Sequence, residues 1–209
     1  DGIKAEELNL LIGSDAVDDE NVKEAVKLNT MILLNEKYGI VESDFISAEL
    51  EAVPAFKAKD VGFDRSLVGA YGQDDRVCAY TSFEAILNIE NPEKTCVCYL
   101  ADKEEIGSMG STGKKSRFLE TFVAHLINSV KGGYNELYLK DCFSASKCLS
   151  ADVTAGYDPN YKSVCEEQNS AYMGGGLCIC KYTGARGKSG TSDANAEFVG
   201  EIRRIFNSN

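Results

Sequence analysis

An apolar run that exits into two adjacent glutamates constrains this chain more than any other feature. Cys96-Val97-Cys98-Tyr99-Leu100 reads as a buried strand. Asp102-Lys103-Glu104-Glu105-Ile106-Gly107-Ser108 then carries the chain into a glycine turn. Glu104 and Glu105 repel each other at the edge of a core, where neither is freely solvated. A bound cation relieves that cost: one glutamate serves as a ligand, and the other takes a proton from water.

The rest of the chain reads as elements that build such a strand into a sheet. Residues 18–38 have helical periodicity, with Val22, Val26, Ile32 and Leu33 on an apolar stripe, acids at the start and Gly39 as a stop. Residues 45–53 alternate well enough for a strand ended by Pro54, and a loop over 57–65 follows. Helices are expected over 77–87, 116–130 and 194–206, with Gly132-Gly133 stopping the second. Strands are expected over 95–101, 147–153 and 177–182. Strand–helix alternation from about residue 70 implies an α/β layer with a largely parallel sheet. Functional groups in such sheets gather at the carboxyl ends of the strands. The Gly72-Gln73-Asp74-Asp75-Arg76 turn, the Glu104-Glu105 pair and Asp152 all sit at such ends.

Charge and cysteine usage narrow the function classes. The 209 residues carry a formal net charge of −11, which argues against nucleic acid and against an anionic membrane surface. No apolar run is long enough for a membrane span. The first residues, Asp1-Gly2-Ile3-Lys4, do not read as a signal peptide, and without Met the chain reads as a processed or excised piece. Cys96/Cys98 and Cys178/Cys180 each flank one apolar residue, which puts each pair on one strand face. No Cys-x-x-Cys spacing occurs among the eight cysteines, and they read as reduced, mostly buried thiols of a cytoplasmic protein.

Each candidate has an ordinary reading beside the sharp one. Asp74 and Asp75 suit the cap of the helix that follows them. Glu104-Glu105 suits a solvated charge pair, and Asp152 a turn acid. Gly174-Gly175-Gly176 is a flexible turn, because no phosphate-loop Lys-Ser/Thr follows it. Lys181, Arg186 and Lys188 form a basic island that suits either a solvated loop or a contact to an acidic substrate group. Cys78, Ser108 and Ser150 have no histidine nearby in sequence and make no case as nucleophiles.

Five motifs occur in order: Phe63-Asp64-Arg65-Ser66, Tyr71-Gly72-Gln73-Asp74-Asp75-Arg76-Val77, Asp102 to Ser108, Ser150-Ala151-Asp152-Val153 and Lys181-Tyr182-Thr183-Gly184. Together they resemble the aspartyl aminopeptidase family in its bacterial branch, over nearly the whole chain. The resemblance implies a dinuclear zinc exopeptidase that releases N-terminal residues, acidic ones in some members. Manganese or cobalt would suit the same hard donors. It implies a three-layer zinc-exopeptidase-like sandwich with a mostly parallel central sheet. Residues 1 to 60 resemble the end of an inserted dimerisation domain, and 61 to 209 the central part of the catalytic domain. It implies that Asp74 bridges the two metals, Glu105 and Asp152 each ligate one, and Glu104 is the general base. Asp75 and Arg76 match supporting positions. Peptide is the implied partner, in a homo-oligomer built from dimers.

The departure is in the histidines. Complete members of the family place one histidine ligand before the insertion and another near the C-terminus. The single histidine here is His125, within the 116–130 helix. The expectation is therefore a chain that resembles an internal portion of an aminopeptidase and is inactive alone. The alternative from another class is a non-catalytic oligomerisation or peptide-binding module. The geometric expectation common to the enzyme readings is that Asp74, Glu104, Glu105 and Asp152 meet in one pocket.

Overall fold

The structure, a computed structural model, describes residues 4–183 and 192–208. The chain divides into two units, 1–56 and 57–209.

The first unit is built on helix α1, Ala25–Tyr38. Gly39 ends it at φ 72°, donating its N–H to the Asn35 carbonyl at 2.8 Å. Glycine reaches this left-handed stop without the Cβ penalty, so the stop read from sequence holds. Residues 18–24 form turns rather than a first helical turn. Lys27 pairs with Glu42 at 2.6 Å, which lowers the Glu42 carboxyl and raises the Lys27 ammonium. The strand expected over 45–53 is absent. A 3₁₀ turn, Glu42–Ile46, takes its first residues, and 47–56 follow no regular element. A short alternating run gains ladder bonds only from a neighbouring strand, and none pairs with it.

The second unit opens with a hairpin where a loop was expected. Strands β1, Lys59–Val61, and β2, Leu67–Gly69, pair antiparallel with Asp60 opposite Val68. Its turn uses positive φ at Gly62 and Arg65, and the Asp64 carboxylate accepts from the Ser66 N–H at 3.2 Å. Helix α2, Gln73–Leu87, follows almost at once. Helix α3, Phe118–Lys131, carries the apolar stripe expected of it and buries Val123. Asn135 caps α4, Glu136–Ala145, by accepting from the Leu137 N–H at 2.8 Å. This helix was not anticipated. It packs against α3 and buries Leu139. Helix α5, Ala196–Asn207, holds Lys147 through Glu201.

Helices and strands are thus mixed, but the expected parallel sheet is not formed among the described residues. The second paired sheet is another two-stranded antiparallel one, β3 Tyr182–Thr183 against β4 Ser192–Asp193. Among the described residues, parallel pairing occurs only as the bridges Lys103–Gly113 and Gly156–Ala171. Residues 95–101 and 147–153 run extended without a ladder, and Val97 and Leu100 are exposed. The apolar content of 95–101 is used differently: Tyr99 stacks on Phe118 of α3 at 6.1 Å. A parallel ladder takes every one of its hydrogen bonds from other segments, so an apolar run alone does not create it.

Candidate metal centre

Two segments far apart in sequence build the site. β2 ends at Gly69, and Gly72, at φ 78°, turns the chain into α2. A Cβ at Gly72 would lie 3.1 Å from the Arg76 guanidinium carbon, so glycine serves both the left-handed turn and the close approach. Arg76 sits over the Tyr71 ring at 5.9 Å and donates to the Tyr71 carbonyl at 3.4 Å. Asp74 and Asp75 are joined by a cis peptide and depart from helical φ and ψ, so regular helix begins after them. The second segment is the extended stretch 147–153, whose Asp152 accepts from the Val153 N–H at 2.7 Å.

Asp74, Asp75 and Asp152 each bring a carboxylate oxygen to within 4.8 Å of the others. Among the described residues this is the one group of three or more His, Cys, Asp or Glu side chains close enough to share an ion. Asp75 Oδ1 is buried with no hydrogen-bond partner. A buried acceptor left unpaired costs about 1–3 kcal/mol, and more when charged. Burial, a hydrogen bond to Asp75 and the negative charge of all three aspartates push the Cys78 thiol up to about 11. Three hard carboxylate donors this close, one on a residue with an unpartnered buried oxygen, fit a divalent cation: zinc takes carboxylate oxygen, as manganese does.

Glu104 and Glu105 are not in this group. They lie in an irregular loop clasped at its base, where the Lys114 N–H donates to the Lys103 carbonyl at 2.9 Å. Within the loop, Ser108 is buried and its carbonyl accepts from the Lys115 N–H at 2.9 Å. The backbone closes so tightly that a Cβ on Gly113 would fall 2.3 Å from the Ser108 carbonyl oxygen. Glu104 is held by Lys114 at 3.0 Å, so a lysine, not an ion, balances it here. The Glu105 side chain is exposed, and its carbonyl accepts from the Ser108 N–H at 3.3 Å.

Lys181 pairs with Asp193 across the base of the β3–β4 hairpin, and that bond raises its pKa. Arg186 and Lys188 lie outside the described residues. His125 is exposed on α3 and belongs to no candidate metal group. Asp75 and Cys78 contribute more to the site than their sequence reading suggested. The signal for Cys78 was its place one helical turn beyond Asp75, on the same side of α2. All eight cysteines are free thiols, as expected, but none is fully buried: Cys96, Cys148, Cys178 and Cys180 are exposed.

Comparison with known proteins bears out the family that the five motifs indicated. The family profile described as aminopeptidase I zinc metalloprotease (M18) matches residues 4–208. A probable M18 family aminopeptidase 1 of Clostridium acetobutylicum is 56% identical over 98% of the chain, which covers 44% of that relative. A Thermotoga maritima protein of the same name is 47% identical over 98% of the chain and 45% of the relative. The crystal structure of aminopeptidase I from Clostridium acetobutylicum aligns with TM-score 0.82 at 55% identity, over 96% of this chain and 42% of that one. The chain belongs to the M18 family of zinc metalloproteases. It spans under half the length of these relatives.

Proposed function

We propose that this chain supplies the carboxylate side of a two-ion zinc centre in a metalloaminopeptidase that removes N-terminal residues, acidic ones among them, from peptides. The observation that carries this reading is the meeting of Asp74 and Asp152 with Asp75, each within 4.8 Å of the others. Like charges from distant segments converge at a cost that a divalent cation offsets. Asp74, Asp152 and Glu105 would hold the metal. Zinc supplies Lewis-acid polarisation of the scissile carbonyl and acidifies water.

The chain's own residues do the rest. Glu104 accepts the proton of attacking water and delivers it to the leaving amine. In that role it exchanges the Lys114 ammonium for water and brings its carboxylate toward the aspartates. Asp75 stands behind Asp74 across their shared peptide, its proton donor being the Cys78 thiol. Lys181 is a candidate for the acidic group of the substrate, with Asp193 as the partner it would leave. Arg186 and Lys188 share that candidacy from sequence.

The finer architecture belongs to the same proposal. The extended runs 95–101 and 147–153 become strands of a mostly parallel central sheet once flanking segments of the longer protein pair with them. Residues 1–60 belong to an inserted dimerisation domain, and 61–209 to the catalytic sandwich. The protein works as a homo-oligomer in the cytoplasm, where its eight thiols would stay reduced.

Manganese titration of the 209-residue chain, followed by electron paramagnetic resonance, tests the centre. Saturable binding that D74N and D152N both abolish supports it. Binding that neither substitution weakens overturns it. Release of N-terminal aspartate from peptides by the full-length protein tests the activity.

A further inference from the structure

The carboxylate centre leaves the cysteines unused, and two of them form a site of opposite chemical character. Residues 177–180 follow the Gly174–Gly176 turn and form no regular element. They include Cys178 and Cys180, one on either side of Ile179. Their sulfurs stand 3.9 Å apart, within hydrogen-bonding range, and both residues are exposed. They are two thiols and not a disulfide.

Spacing alone does not produce this arrangement. Cys96 and Cys98 have the same Cys-x-Cys spacing, yet the Cys96 thiol turns away to the Lys94 carbonyl at 3.4 Å. Only at 178 and 180 do the sulfurs face each other. Among the described residues no carboxylate or imidazole joins them in a metal-sized group, so the donor set is two sulfurs. A two-coordinate cuprous ion holds its two thiolates on nearly opposite sides, at up to twice the metal–sulfur distance of about 2.3 Å. The observed 3.9 Å contact is shorter than that span, and rotation of the two exposed side chains opens it without moving the backbone.

Ligand softness names the guest. Paired thiolates select soft, low-coordinate d¹⁰ cations, whereas carboxylates select hard ones. We propose that Cys178 and Cys180 form a chelating dithiol site for monovalent copper, separate from the aspartate centre. Two thiols and one cuprous ion give a bis-thiolate cuprous complex and release two protons, with no change of oxidation state. The shared S–H···S contact, together with partial burial, raises the Cys180 thiol, so its proton is one of those displaced. One chain would then sort two classes of metal by donor type, oxygen at Asp74, Asp75 and Asp152, and sulfur at Cys178 and Cys180.

Anaerobic competition for cuprous ion between the 209-residue chain and a chromophoric cuprous chelator tests the proposal. The wild-type chain should withdraw one equivalent of copper tightly. C178S and C180S should each weaken that equivalent about a hundredfold, the advantage that holding two donors together confers. The double variant C96S/C98S, which leaves four other free thiols besides the pair, should retain it. Far-UV circular dichroism checks that each variant keeps its helices, and serine at these exposed positions is close to isosteric. Manganese occupancy of the aspartate centre should not change in any of them. Retention of the tight equivalent by C178S and C180S overturns the proposal, as does its equal loss in C96S/C98S.

Discussion

Two acidic regions of this chain meet the same problem and resolve it differently. Asp74, Asp75 and Asp152 come together, and among the described residues no ion pair holds any of them. Glu104 lies in a loop that folds Lys114 onto it at 3.0 Å. Both regions carry a cation in the same short segment, but Lys114 pairs with Glu104 whereas Arg76 turns to the Tyr71 ring and carbonyl. Local sequence supplies a cation to Glu104, while the aspartates keep an acceptor, Asp75 Oδ1, buried and unpartnered. The acid held by its own loop's lysine stays out of the cluster, and the acids without an ion pair form the place where a metal fits.

The largest test of this contrast is E104Q in the full-length protein. As general base, Glu104 should account for about 10²–10⁴-fold in kcat, with metal content unchanged. Peptide turnover at wild-type rate would leave Glu104 as no more than the partner of Lys114. Next is D74N in the chain itself, where manganese affinity should fall at least about 10–100-fold, read by dialysis or resonance. Equal affinity in the two chains would mean that the aspartates converge without serving an ion.

G113A separates the regions structurally. The added Cβ meets the Ser108 carbonyl at 2.3 Å, so the loop must open, at about 1–3 kcal/mol in urea unfolding. Manganese binding at the aspartates should survive that substitution. Cys78 reports on the cluster from within. Its thiol is raised to about 11 by burial, by its bond to Asp75 and by the nearby carboxylates. The folded chain therefore holds this proton more tightly than the unfolded one. The associated stability is intact at neutral pH and is lost as pH climbs through about 11. Alkylation of Cys78 should lag behind that of the exposed cysteines at pH 8 and accelerate in D152N, followed by peptide mass spectrometry. The smallest effect expected is that of K114A, whose half-exposed ion pair is worth about 0–1 kcal/mol of stability. Its informative readout is metal affinity: freed of lysine, Glu104 should add to manganese binding if it can reach the aspartates.

The helices were more legible than the strands. The stripe of α3 and the glycine stop of α1 are local, since a helix closes its hydrogen bonds within its own segment. α4 went unread although Asn135 before Glu136 is a capping signal. The apolar runs at 95–101 and 147–153 were read as strands of a parallel sheet, and here they are extended but unpaired. The β1–β2 hairpin formed where a loop was expected, because the turn at Gly62 and Arg65 lets its two short strands reach each other. In the site, Asp74 and Asp152 were named from motif order, whereas the parts played by Asp75 and Cys78 depend on which side chains α2 turns toward Asp152.

Sequence alone determined the family, the acids available for metal, and the positions where helices start and stop. These rest on residue identity and on interactions within a few residues. Tertiary structure alone decided that Asp152 joins Asp74 and Asp75 while Glu104 joins Lys114. It also decided that Cys178 faces Cys180 while Cys96 does not face Cys98. Coulomb attraction and sulfur–sulfur contact act over a few ångströms of space, whatever the separation along the chain.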